Sequence, residues 1–134
     1  MDISRPIVIF AYVSANVETT DEQDLAAAKA QLETHNLFGS SVTGAYFGVE
    51  EDSLLVRLNN WDEHKNVLEV AKAFDQESIL VIDANRCASL VYTDGRPEQS
   101  LGEFYRVSED IAKGESGWTR DGGNNYFITS KQAA

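Results

Sequence analysis

Two periods of apolar residues alternate along this chain, and their order restricts the fold more than any other feature. Ile7 to Val13 is a β-branched and aromatic run with the length of one buried strand. Leu25, Ala28 and Leu32 then recur at helical spacing behind Thr20-Asp21-Glu22-Gln23, which has the form of a capping box, and Leu37 lies near the helix end. Phe38-Gly39-Ser40-Ser41 breaks that helix. Val42 to Val49 and Ser53 to Leu58 read as two further strands, with Glu50-Glu51-Asp52 between them. Asn60-Trp61-Asp62-Glu63 caps a second helix whose apolar face is Val67, Ala71 and Phe74 with Leu68 beside it, and Ser78 to Asp83 is a compact apolar strand. The order strand, helix, strand, strand, helix, strand predicts an α+β fold: a ferredoxin-like antiparallel sheet with two helices on one face.

Beyond residue 84 the pattern is β without an obvious helix, and these elements are expected as C-terminal β additions to the same domain. Cys87 to Tyr92 is strand-like, Thr93-Asp94-Gly95-Arg96-Pro97 is a turn, and Glu103 to Val107 alternates as an edge strand would. Gly114 to Asn125 is turn-rich, Tyr126-Phe127-Ile128 adds a last short strand, and Ser130 to Ala134 is expected to fray. No low-complexity linker interrupts residues 1–134, which predicts one domain.

Composition narrows the function. The chain has 134 residues, 43% of them apolar, enough for a core without disulfide staples. Its 22 Asp and Glu against 11 Lys and Arg leave a formal charge of -11, which repels nucleic acid and suits cationic ligands or a mimic of DNA. One cysteine, Cys87, allows no internal disulfide and is expected as a buried structural thiol. His35 and His64 are too few for a metal site and are expected at the surface, while Trp61 and Trp118 are expected to pack. The N-terminus carries neither a membrane span nor the basic lead of a signal peptide, so a cytoplasmic protein with no membrane partner is expected. Phosphate loops, dinucleotide glycine fingerprints and a serine elbow are all missing, which removes nucleotide hydrolysis and hydride transfer. What remains is the acid run Glu50-Glu51-Asp52. By pattern it is the solvated tip of a hairpin, or else one of its carboxylates is a working group. Tyr46 is by the same standard a sheet residue.

Several segments, taken in order and spacing, carry a resemblance. They are Phe10-Ala11-Tyr12-Val13-Ser14-Ala15, Phe38 to Tyr46, Glu50-Glu51, Asn66 to Ala71, Ser78-Ile79-Leu80-Val81 and Ala88-Ser89-Leu90-Val91-Tyr92, with weaker likeness through Leu101 to Val107 and Gly117-Trp118-Thr119. Together they resemble the small bacteriophage S-adenosylmethionine lyases, formerly called S-adenosylmethionine hydrolases. The resemblance implies cleavage of S-adenosylmethionine to 5'-methylthioadenosine and L-homoserine lactone by the substrate's own carboxylate, as an anti-restriction activity, with no metal or cofactor. It also implies a homotrimer with sites between subunits. The family's functional glutamate matches Glu51 best, with Glu50 the alternative, and its active-site tyrosine matches Tyr46. The backbone around Ser14 and Ala15, and around Arg86, Cys87 and Ala88, is expected to grip the rest of the substrate. Two rivals share these features: a nucleotide-binding regulatory trimer that consumes nothing, and an acidic DNA mimic.

Overall fold

Among the residues described by the computed structural model, 5–11 and 21–132, eight strands and three α-helices form. In chain order they are β1 (Ile7–Ala11), α1 (Asp21–Glu33), β2 (Gly39–Tyr46), β3 (Val49–Arg57), α2 (His64–Ala73, entered through a 3-10 turn at Trp61–Glu63), β4 (Ser78–Ile82), β5 (Cys87–Tyr92), β6 (Gln99–Val107), α3 (Glu109–Lys113), β7 (Gly117–Arg120) and β8 (Tyr126–Thr129). Tyr12, Val13 and Thr20, which the first strand and the capping box were expected to include, lie outside the described residues. The second cap forms as expected: the Glu63 carboxylate accepts from the Asn59 and Asn60 N–H groups at 2.6 and 3.1 Å.

Every strand pairs antiparallel with two neighbours, in the order β1-β3-β2-β7-β8-β6-β5-β4, and β4 pairs with β1 again. The sheet is a closed barrel, and the expected open ferredoxin-like sheet is incorrect. An open sheet would end on β2 and β4. Here β7 adds to β2, β5 adds to β4, and β6 and β8 join them, so no strand is left as an edge. Glu103 to Val107 is likewise interior to the sheet, between β5 and β8. The closing strand β7 lies within the stretch read as turn, because four residues beginning with glycine carry too little alternation to register.

Three apolar layers hold this arrangement. Inside the barrel, Ile7, Ile9, Val42, Leu55, Ile82, Leu101, Phe104 and Phe127 pack together. The alternate residues Val8, Phe10, Leu54, Val56, Ile79 and Val81 face outward, under Ala28 and Leu32 of α1 and Val67, Val70 and Ala71 of α2. These strands are apolar on both faces, which is why they read as continuous runs. On another flank, Ala112 of α3 packs on Tyr126 and Ile128, with Trp118 beside them. Helix α3 was not expected, although Ser108 followed by Glu109 and Asp110 is a cap with acids in the first turn, and the Ser108 hydroxyl accepts from the Ile111 N–H. No helix among the described residues is long and apolar enough to cross a membrane.

Candidate functional site

The hairpin of β2 and β3 decides what the acids do. Its tip is Phe47-Gly48, with φ of 50° and 81°, the two positive values that a tight two-residue turn takes. The acids are therefore not the tip. They lie within β3, where Glu50 is opposite Ala45, Glu51 opposite Gly44 and Asp52 opposite Thr43. Strand alternation then separates the two glutamates. Glu51 shares the inner face with Ser53 and Leu55. Glu50 faces outward, its Oε1 3.2 Å from Arg120 Nη2, and the same nitrogen lies 3.3 Å from Thr43 Oγ1.

Above the packed floor of Leu101, Phe104 and Phe127, the barrel opens into a cavity of about 580 Å³. That volume falls in the range of small-molecule sites, roughly 300–1,000 Å³. Glu51 and Tyr46 line it, with Ser53, Tyr92, Thr119 and Gln132. Ser53 is only 1% exposed, and its hydroxyl donates to the Glu51 carbonyl at 3.3 Å. Thr119 and Thr129 are also buried on the inner face. Two carboxylates, Glu51 and Glu77, reach the cavity, and no Lys, Arg or His is among its described lining residues. Glu77 is paired with Arg96 at 2.9 Å, whereas Glu51 has no ion-pair partner among the described residues. Low-dielectric walls focus the field of such a carboxylate, so the interior favours a cation.

At the rim, the Arg96 guanidinium lies 4.1 Å from the centre of the Tyr92 ring and bonds Glu77 and Asp94. The hydrogen bond to Glu77, then that to Asp94, pushes the Arg96 pKa up; the Arg96 backbone N–H, then its side chain, holds the Asp94 carboxyl below its ordinary value. Tyr46 stands at the mouth, 41% exposed, edge-on to Phe47 with ring centres 4.5 Å apart.

The remaining expected site residues fall elsewhere. Ser14 and Ala15 lie outside the described residues. Arg86, Cys87 and Ala88 form the turn and first residues of β5, at the other end of that strand from Tyr92, and none of them lines the cavity. Arg86 takes φ of 66°, Ala88 is buried in the barrel core, and Cys87 is exposed, contrary to the buried thiol expected. The Asp83 carboxylate organises this turn by accepting from the Asn85 and Cys87 N–H groups at 2.8 and 2.9 Å. His35 is exposed as expected, His64 is half-buried with its ring centre 4.7 Å from that of Trp61, Trp61 is 40% exposed, and Trp118 packs against Tyr126. Among the described residues, no group of three His, Cys, Asp or Glu side chains is placed to hold a metal ion.

Ser53, Tyr92, Thr119 and Gln132 line the cavity without having been expected at a site. For Ser53 a signal existed: it lies two residues before Leu55, so strand alternation puts it on the same inner face. A family model described as the S-Adenosylmethionine lyase family matches residues 7–130. No curated protein matches the chain.

Proposed function

The chain belongs to the S-adenosylmethionine lyase family, an enzyme family acting on S-adenosylmethionine, and from that premise we propose that the barrel cavity converts this substrate to 5'-methylthioadenosine and L-homoserine lactone. A carboxylate oxygen of the substrate bonds to its own Cγ while the Cγ–S bond breaks, and the bonding pair leaves with sulfur as a neutral thioether. The sulfonium and the carboxylate both lose their charge on the way, so withdrawing the pair from water destabilises the reactant more than the transition state. Holding oxygen and carbon about 3 Å apart in line with sulfur supplies the orientation term, worth up to about 7–11 kcal/mol in favourable intramolecular cases.

The observation that carries this reading is Glu51, an inward carboxylate in a cavity whose described walls hold no cationic side chain. Its roles are to attract the cationic substrate and to accept from its ammonium or ribose hydroxyls. Tyr46 packs on the reacting chain at the mouth, and the buried hydroxyls of Ser53 and Thr119 offer further hydrogen bonds. Incubation with S-adenosylmethionine followed by chromatography tests this: methylthioadenosine and lactone should appear together. Unchanged substrate that stays bound would instead identify a binding protein.

The proposal includes assembly as a homotrimer with sites between subunits, working in the cytoplasm of a host cell, where loss of the methyl donor would blunt restriction. Phe47 and Val49, 70% and 60% exposed beside Tyr46, support it, since apolar side chains grouped at the cavity mouth favour cover by another subunit. Light scattering during turnover should give three times the chain mass, and an active monomer contradicts the trimer.

A further inference from the structure

We propose that Gln132 is a positioning residue, which holds Tyr46 at the cavity mouth by clamping the backbone at Ser116 and Gly117. Ser130 to Ala134 was expected to fray, but residues 130–132 are tied down, and 133–134 lie outside the described residues. The Ser130 N–H donates to the Glu103 carbonyl at 2.8 Å and the Lys131 N–H to the Leu101 carbonyl at 2.9 Å, so pairing with β6 continues past the end of β8. That path brings the Gln132 side chain back to the cavity wall. There its Oε1 accepts from the Ser116 hydroxyl at 2.9 Å and the Gly117 N–H at 2.8 Å, while Nε2 donates to the Thr129 carbonyl at 3.2 Å. One amide thus ties the last residue of β8 to the first residue of β7 and to Ser116 just before it.

Those two clamped residues are the ones that carry the β2–β3 hairpin tip. Gly117 pairs in register with Tyr46, and the Ser116 carbonyl accepts from the Phe47 N–H at 2.7 Å. The space beside Gly117 shows how close the groups come. A methyl group built there would lie 3.3 Å from Gln132 Oε1 and 3.4 Å from Tyr46 Cδ2, so the amide and the ring converge on the volume that the glycine leaves open. Losing the amide releases the Gly117 N–H and Ser116 hydroxyl from their shared acceptor and frees the backbone against which the Tyr46 ring rests.

Two substitutions test this in the full chain. Gln132→Met removes both hydrogen-bonding functions at similar length. Gln132→Glu keeps an acceptor for Ser116 and Gly117 and loses the bond donated to Thr129. With ring-labelled tyrosine and the Tyr46 signal assigned through Tyr46→Phe, nuclear magnetic resonance should show that signal shifted in Gln132→Met and returned close to its original position in Gln132→Glu. An unchanged Tyr46 signal in Gln132→Met overturns the proposal, and this measurement decides it whether or not the protein consumes S-adenosylmethionine. The kinetic arm rests on the function proposed above. There Gln132→Met should lower kcat/KM roughly tenfold, and should lower it no further in a Tyr46→Ala background, because coupled residues do not add. The same loss in both backgrounds would show a role independent of Tyr46 and overturn the proposal, while a wild-type protein that leaves the substrate intact would sink the function alone.

Discussion

Glu50 and Glu51 adjoin in sequence yet occupy opposite surroundings, one beside Arg120 on the outer wall and the other inside the barrel. Glu51→Gln should keep the fold and lower kcat/KM roughly a hundredfold, the scale found when one well-placed polar group of an active site is removed. Glu50→Gln should stay within about twofold of wild type, and since a half-exposed ion pair contributes about 0–1 kcal/mol, its melting temperature should barely move. The reverse pattern in parallel assays would move the working carboxylate to the outer wall. The choice between the two was not legible in sequence because it depends on where the hairpin turns. Phe47 adopts a left-handed conformation that an aromatic residue does not announce, so the acids read as the tip rather than as strand. Asp121 gives a prediction in pH. Burial pushes its carboxyl up, but hydrogen bonds, those of the Asn125 and Gly123 N–H groups and the Asn125 side chain among them, outweigh that and hold it well below the ordinary aspartate value. With the folded value depressed, its contribution is complete above the unfolded value of about 3.9 and drains away as pH falls beneath it. The gap in melting temperature between wild type and Asp121→Asn should therefore narrow between about pH 6 and about pH 2, and a constant gap contradicts this account.

Among the elements, β6 shows how a local irregularity serves the barrel. The pairing of β5 with β6 shifts register between Ala88 and Ser89, beside Gly102 with φ of 75°, and the extra residue lets both Leu101 and Phe104 reach the inner core. A methyl group on Gly102 would collide with the Ser130 hydroxyl, which also accepts from the Glu103 N–H. Gly102→Ala combines a disfavoured φ with that collision and should lower stability by at least about 2 kcal/mol in chemical denaturation. Wild-type stability in this variant would show that the bulge is not needed. Elements with long apolar runs, such as β1, β4 and α2, were legible because burial on two faces or at helical spacing leaves a strong pattern. The bulge, the four-residue β7 and the five-residue α3 were not, since each is fixed by what packs on it more than by its own alternation.

Across the fold, the order of the first elements was read correctly, and closure of the sheet is what made the expected fold class wrong. Alternation tells which face of a strand is apolar, but not whether distant strands meet to close a sheet, and here β7 reaches β2 across more than seventy residues. Closure also creates the cavity, because only a barrel can place Glu51, Tyr92 and Thr119 around one volume from strands far apart in sequence. The acid surplus of the chain is consistent with a cationic substrate, and the cavity concentrates that preference where the chemistry is proposed. In the proposed reaction the substrate's own carboxylate, not water, attacks Cγ. Turnover in water enriched with heavy oxygen, followed by mass spectrometry of the earliest products, tests it most directly. The lactone should be free of label, with homoserine appearing later and labelled only in its carboxyl group, as spontaneous opening of the ring requires. Label in the γ-hydroxyl of homoserine, formed as fast as methylthioadenosine and with no lactone before it, would show that water attacks Cγ directly.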